Sequence, residues 1–326
     1  MPPPPMDEFA RIDQLLKPLT EGAAEALDLL DDAALLPAGG GEEYVITKDA
    51  LVEGRHVLAG TPPEILAQKA LRTNLSDLAA MGADPEFYLL ALALGREQDD
   101  AWLGRFTQAL AEDQRRFGIR LIGGDSVSTT GPVTVSVTAI GRCPKGMALR
   151  RAGAQVGHQV WVSGTLGDGV LGLAGARGEL ADCDGAAVAT LVERHNRPEP
   201  RLALGRGLRG LAGAAMDLSD GIGGDAAKLC RASGVGMELD VARFPRSRAA
   251  AAVLARHPDL EAAAWAGGDD YELLFTAAPD LGGEVRALSR RLGLAVTEIG
   301  RVVAGETAIF RVPGGGTVPL AGWTHA

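Results

Sequence analysis

Aspartates recur along this chain where apolar residues or glycines surround them. Asp32, Asp49, Asp77, Asp125, Asp217, Asp220 and the pair Asp269-Asp270 stand at strand ends, turns or helix starts, in LLDDAALL, VITKDALV, LIGGDS, AMDLSDGIGGD and AGGDDYELL. Asp77 is the sharpest case, within NLSDLAAMGADP (74–85). Leu71, Leu75, Leu78 and Met81 follow helical spacing, and Asp84-Pro85 ends the run, because a residue before proline is pushed out of the α region. Asp77 sits on the edge of that apolar face with no basic residue three or four positions away. A helix needing only stability does not place an unpaired carboxylate there. Oxygen ligands without His or Cys suit hard cations, Mg²⁺ before transition metals. Mg²⁺ is usually held by few carboxylates together with substrate phosphates, so many acids imply several ions around a polyphosphate. At any single position the competing role is a helix N-cap or turn former. That role does not require apolar surroundings at six or seven places.

Other chemistries lack their residues. Gly167-Asp-Gly169-Val-Leu-Gly172 fits G-x-G-x-x-G after a strand, and Gly205 to Gly210 fits it inside a helical stretch, where it cannot act. With 44 glycines in 326 residues such matches arise by chance. There is no G-x-x-x-x-G-K-[ST], no kinase H-R-D and D-F-G set, and no G-x-S-x-G elbow. The five histidines are isolated, and His56 stays open as a site residue only because it follows Asp49 closely. Three scattered cysteines make neither a disulfide framework nor a zinc site and fit a reducing cytoplasm.

A formal charge of -10 argues against nucleic-acid or anionic-membrane partners. At about 4 Å two like charges repel by ~1 kcal/mol in water and ~4 kcal/mol where partly desolvated. A carboxylate-lined phosphate site therefore needs metal. No stretch approaches the apolar length of a membrane span, and the proline-rich start (1–6) reads as a disordered tail without a leader's apolar core, so a cytoplasmic location is expected.

The elements that must position these acids can be read in order. Asp7 to Leu19 is an amphipathic helix with Phe9, Ile12, Leu15, Leu16 and Leu19 on one face. Tyr44 to Asp49 is a strand, Pro62 to Met81 the long helix, Phe87 to Leu94 a strand and Trp102 to Phe117 a helix. Arg120 to Asp125 reads as a short buried strand, and Pro132 to Gly141 alternates as a half-buried one. Arg142 to Gly157 has no clean period and serves as a linker between residues 1–141 and 158–326. Beyond it, strands at His158 to Ser163, Ala214 to Asp220, Met237 to Val241, Tyr271 to Ala277, Ala295 to Gly300 and Ala308 to Val312 alternate with helices. Both halves mix strand and helix, so the class is two α/β (α+β) domains.

Taken in order, GRH (54–56), NLSDLAAMGADP, LIGGD (121–125), ALRRAG (148–153), MDLSDGIGGD (216–225) and GGDDYEL (267–273) resemble the thiamine-monophosphate kinase family of the aminoimidazole-ribonucleotide synthetase superfamily. The likeness runs from about Phe9 to Trp323. It implies conversion of thiamine monophosphate to thiamine diphosphate with ATP and several Mg²⁺ ions. The implied fold has an N-terminal ATP/Mg²⁺-binding domain whose sheet pairs with a second subunit into a barrel-like homodimer, and a C-terminal α/β domain. By resemblance the metal ligands fall on Asp32, Thr47, Lys48, Asp49, Asp77, Asp125, Asp217 and Asp220. ATP contacts fall on Phe117, Gly124, Asp125, Arg151 and Ser219, and the thiamine side on His56, Asp269 and Trp323. Asp77, Asp217, Asp220 and Arg151 would carry catalysis. Lys48 stands where the family commonly has Thr, so only its main-chain oxygen could serve. Asp269-Asp270 replaces a usual Glu-Asp, Leu30 precedes the first acid pair where a glycine is usual, and His158 replaces a common Asp. A superfamily sibling that activates a carbonyl or selenide is disfavoured, because such relatives use a cysteine near one terminus and none lies in the first 142 or last 96 residues. A non-catalytic nucleotide-binding module is the other alternative; it would release no ADP.

Overall fold

The computed structural model describes Ala10, residues 12–320 and Gly322. The proline-rich start, Phe9 and Trp323 lie outside these residues.

Two mixed sheets organise the chain. The first contains β1 (Ala34–Gly39), β2 (Glu42–Val52), β3 (Asp84–Leu94), β4 (Arg120–Ser128) and β5 (Thr134–Pro144), in the order β1-β2-β5-β3-β4. β3 and β4 run parallel and the other pairs antiparallel. β5 keeps its alternation, burying Val135, Val137, Ala139 and Cys143. It also runs through Pro144, past the start of the expected linker, and Arg142 on it pairs with Glu42 and Glu86.

Helix α1 (Pro63–Ala80) is the expected long helix, but it is not amphipathic in the ordinary sense. Fifteen of its eighteen residues are buried. Leu66, Leu71, Leu75 and Leu78 pack on β2 and β5, while Ala79 and Ala80 join a second core with Leu204, Leu208 and Ala215. Small residues permit that contact. A Cβ on Gly205 would stand 1.9 Å from the Ala79 carbonyl oxygen. The helix α2 (Asp100–Phe117) covers α1, with Asp99 capping it by accepting from the Trp102 N–H.

Two expectations fail here. Arg120 to Asp125 is a strand but not a buried one. All of β4 is exposed, with Leu121 47 %, Ile122 55 % and Val127 51 % accessible. It is an edge strand whose described neighbour is β3 alone, so its apolar run faces outward. The expected first helix (Asp7 to Leu19) is also not formed as one amphipathic helix over its described residues 12–19. Short helical turns occupy Ile12–Leu16 and Lys17–Thr20, bury nothing, and leave Leu15, Leu16 and Leu19 exposed. A short amphipathic stretch owes its helix to packing of its apolar face, and no described surface of this chain covers this one.

The second sheet takes β6 (Gln159–Ser163), β7 (Ala212–Asp217), β8 (Gly236–Asp240), β9 (Leu273–Ala277), β10 (Val296–Val303), β11 (Ala308–Arg311) and β12 (Thr317–Val318) in the order β12-β11-β8-β10-β6-β9-β7. α3 (Asp168–Ala176), α4 (Gly185–Asn196) and α5 (Leu202–Gly207) precede β7, and α6 (Ile222–Ser233) follows it. α7 (Arg248–Arg256) and α8 (Glu261–Ala266) lead to β9, with α9 (Gly282–Leu292) between β9 and β10. The chain is thus a two-domain α/β fold built on two mixed sheets. None of the described helices is long and apolar enough to cross a membrane.

Candidate active site

The last turns of α1 join the two sheets. Successive helix residues point about 100° apart, so Ser76 and Asp77 reach different strands. The Ser76 hydroxyl donates to Asp217 Oδ2 at 2.6 Å, at the end of β7. Asp77 Oδ2 accepts from the Thr47 hydroxyl at 2.6 Å, on β2. Asp32 enters from the turn before β1, held by an ion pair with Arg151. Beside it Asp31 accepts from Arg150 Nε and the Arg151 N–H, both at 2.6 Å. Carboxylate oxygens of Asp32, Asp77 and Asp217 lie within 4.8 Å of one another.

These three acids line a cavity of about 620 Å³ between the sheets. Thr47, Lys48, Asp49 and Arg151 also line it, as do Ser219 and Asp220 after β7, and His56 and Asp269 on another side. So Asp32, Asp49, Asp77, Asp217 and Asp220, drawn from four separate stretches of the sequence, share one space.

Crowding sets their protonation. Burial pushes the Asp77 carboxyl well above the usual range, reinforced by the charges of Asp49, Asp217 and Asp32; the Thr47 hydroxyl opposes the shift. Burial and then Asp32 raise Asp217, against the pull of Ser76 and Arg151. Asp32 Oδ2 is buried with no hydrogen-bond partner. Like charges gathered out of water with an orphaned acceptor are what a bound cation relieves. The oxygen-only donors fit Mg²⁺.

A stability prediction follows from the same shifts. A carboxyl with a folded pKa above its unfolded value near 3.9 contributes stability that is full below that value and lost as pH rises through the folded one. Asp225 is pushed up to about 6 and Asp270 to about 8, both by burial first, and Asp77 and Asp217 shift in the same direction. The metal-free protein should therefore melt about 5 °C lower at pH 8 than at pH 5, and Mg²⁺ should reduce the gap. Thermal scans with EDTA and with Mg²⁺ check this.

Several expected site residues stand elsewhere. Asp125 lies on exposed β4 and does not line the cavity; its Oδ1 accepts from the Ser126 N–H at 2.8 Å. The register explains why. Asp49 pairs with Val137, Val137 with Leu90, and Leu90 with Gly124, so Asp125 is three strands from Asp49, about 14 Å at ~4.8 Å per step. Gly124 crosses β3 so closely that a Cβ would sit 1.8 Å from the Leu90 carbonyl oxygen. Phe117 packs under the Arg72 and Arg116 guanidinium groups at 5.4 and 5.1 Å and also lies off the cavity. Asp220 lines the cavity, but its carboxylate is paired with Lys228, which also binds Asp225 at 2.8 Å. The Lys48 ammonium turns to the Ser136 hydroxyl at 2.6 Å, leaving its main chain in the Thr47–Asp49 run. His56 Nδ1 accepts from the Val52 N–H at 3.0 Å. Trp323 lies outside the described residues.

The glycine fingerprint at Gly167 is a helix N-terminus already filled. Asp270 accepts from the Gly167 and Gly169 N–H groups at 2.8 and 2.9 Å, where a dinucleotide phosphate would have to sit. Other cavity residues escaped sequence reasoning. Lys69, His195 and Tyr271 line the wall around Asp269. A lysine on the face of an apolar helix was the available signal for the first; isolated His195 and aromatic Tyr271 gave none.

Models of the AIR synthase related protein N-terminal and C-terminal domains match residues 30–143 and 155–312. The chain is 43% identical over 325 residues to the thiamine-monophosphate kinase of Caulobacter vibrioides, covering 98% of this chain and 91% of that protein. It is 41% identical over 305 residues to the Escherichia coli K12 enzyme of that name, covering 92% and 91%. Among solved structures, AaThiL complexed with AMPPCP and TMP superposes with a TM-score of 0.85 at 30% identity, covering 98% of this chain and 97% of that one. Thiamine-monophosphate kinase from Stenotrophomonas maltophilia K279a gives 0.78 at 40% identity, covering 94% and 97%. With nearly the whole length matched at this identity, the chain belongs to the thiamine-monophosphate kinase family.

Proposed function

We infer that the chain phosphorylates thiamine monophosphate with ATP, giving thiamine diphosphate and ADP, in one direct in-line transfer assisted by Mg²⁺. The observation that carries this reading is the convergence of Asp32, Asp77 and Asp217 on one cavity from three separate elements. The AMPPCP and TMP named for AaThiL match the two ligands required.

The acceptor is a phosphate oxygen ionised at neutral pH, so no general base is needed. The cavity agrees: burial and the Lys69 charge push His195 down to about 4, and His56 Nδ1 is engaged with backbone. What remains is to hold two polyanions in line. When bound, Mg²⁺ supplies charge neutralisation and polarisation of the phosphoryl oxygens. Asp32, Thr47, Asp49, Asp77, Asp217 and Asp220, with the Lys48 main-chain oxygen, make up the ligand set on this side. Asp220 must exchange Lys228 for metal to take part. Arg151 and Ser219 face the nucleotide, and His56 and Asp269 face the thiamine; the family resemblance adds Trp323, outside the described residues, to the thiamine side.

The chain works as a homodimer in this reading. Asp125 and Gly124, with two strands between β4 and β2, and Phe117 at the end of α2 lie off this chain's own cavity, yet β4 exposes Leu121, Ile122 and Val127. A second copy seated on that edge, closing the two N-terminal sheets into a barrel-like interface, covers the apolar run and brings the partner subunit's Asp125 to the site. The N-terminal unit (1–141) then carries most of the metal ligands and the dimer function, and the C-terminal unit (158–326) adds Asp217 and Asp220 and completes the cavity. A net charge of -10 argues against nucleic acid or an anionic membrane as partners.

A coupled ADP-release assay tests the reaction. Release is expected with thiamine monophosphate and Mg²⁺, and not with EDTA, free thiamine or aminoimidazole precursors. No phosphoenzyme should survive an acid quench after labelled ATP. Labelled protein would overturn direct transfer, and silence with every thiamine phosphate would reduce the chain to a binding module.

A further inference from the structure

We propose that Lys69 is a positioning residue for the thiamine side: from α1 it holds the Asp269 carboxylate as an ionised hydrogen-bond acceptor facing the cavity. This rests on the thiamine-monophosphate reading above. Lys69 is 1 % exposed, yet its ammonium lies 2.9 Å from Asp269 Oδ2 and 3.3 Å from His195 Nε2. Isolated burial of a lysine is costly unless it is paired. Its partner is the one carboxylate on that wall whose side chain stays 28 % exposed.

The Asp269 backbone is held in place. Its φ is 69° and that of Tyr271 is 51°, a left-handed region that non-glycine residues rarely adopt. The Asp269 N–H donates to the Ser219 carbonyl and the Tyr271 N–H to the Leu218 carbonyl, fixing the turn. The Tyr271 hydroxyl donates to Asp269 Oδ1 at 3.1 Å. Oδ1 thus has one lone pair engaged and one left, while Oδ2, bonded to Lys69, also lies 3.3 Å from His195 Nδ1. The ligand class for such an acceptor is a heterocycle bearing an amino group, and the amino group on the pyrimidine of thiamine offers those N–H donors.

Charge decides whether those oxygens accept. Burial would raise the Asp269 carboxyl, but the charge of Lys69, aided by His195 and Tyr271, holds it below the ordinary range. His195 is held neutral by burial and by Lys69, with Arg177 adding to the effect, so Lys69 is the cation of the group. Burial first, then the charges of Asp269, Asp49 and Asp217, push the Tyr271 hydroxyl well above its ordinary value, so it stays a donor. Without Lys69, Asp269 protonates toward neutral pH and one acceptor becomes a donor.

Lys69→Met is therefore expected to raise KM for thiamine monophosphate about tenfold or more, with KM for ATP changed less than twofold. Its kcat/KM for thiamine monophosphate should fall with decreasing pH near neutrality, where the wild type is flat. Lys69→Arg should restore most of the loss. Should Lys69→Met not fold, Tyr271→Phe removes the other donor and should move the same KM in the same direction. A change in melting temperature alone, or equal rises in both KM values, would reduce Lys69 to a tie between α1 and the loop and overturn the proposal. If the wild type releases no ADP with thiamine monophosphate, the parent reading falls and this proposal with it.

Discussion

Asp77→Asn is expected to lower turnover with ATP and thiamine monophosphate by about 10²–10³-fold, while the metal-free protein melts at the same temperature or higher. The two effects part because the carboxylate is costly to fold and useful only with metal. Asp77 is buried beside Asp49, Asp217 and Asp32, which raise its pKa, so in the charged form it opposes folding at neutral pH. Asparagine keeps the volume and can still accept from the Thr47 hydroxyl, now 2.6 Å away. It removes one negative charge from three converging carboxylates. Mg²⁺ should therefore raise the melting temperature of the wild type clearly and that of the variant little. Parallel losses of activity and stability would return Asp77 to a role in packing.

Dimers built from one Asp77→Asn subunit and one Asp125→Asn subunit should recover about half of the wild-type turnover, although each variant alone is nearly inactive. In a closed two-fold dimer one site then carries both lesions and the other carries neither. The expectation rests on distance: Asp49 and Asp125 lie on the same sheet with two strands between them. Purification through two different tags isolates the mixed species. Inactive mixed dimers would place Asp125 in its own chain's site, full activity of Asp125→Asn by itself would place it outside any site, and an isolated monomer with full activity would dismiss the second copy.

Much of the fold is legible in the order of the residues alone. The strands and α1 appear at their expected places because period and turn chemistry agree locally in 42–144 and 159–311. Convergence of Asp32, Asp77 and Asp217 is legible only as an excess of carboxylates in apolar settings. Spacing alone could not join them, since they sit on a turn, a helix and a strand. β4 shows the limit of that reasoning. An apolar run such as Leu121-Ile122 states that a strand avoids water, not which chain shields it. Lys69 shows another. Its burial depends on Asp269, two hundred positions later, a pairing that no local pattern records.

Helix α1 has almost no face in contact with solvent, and this has a mechanical consequence. A rod gripped on every side cannot roll, so neighbouring residues at its end are locked to two sheets at once, Ser76 to Asp217 and Asp77 to Thr47. The gap across which the two phosphates must meet is thereby set by helix pitch, not by the play of a hinge. The methyl of Gly205→Ala, with no room beside Ala79, would shift that rod and detune chemistry it never touches.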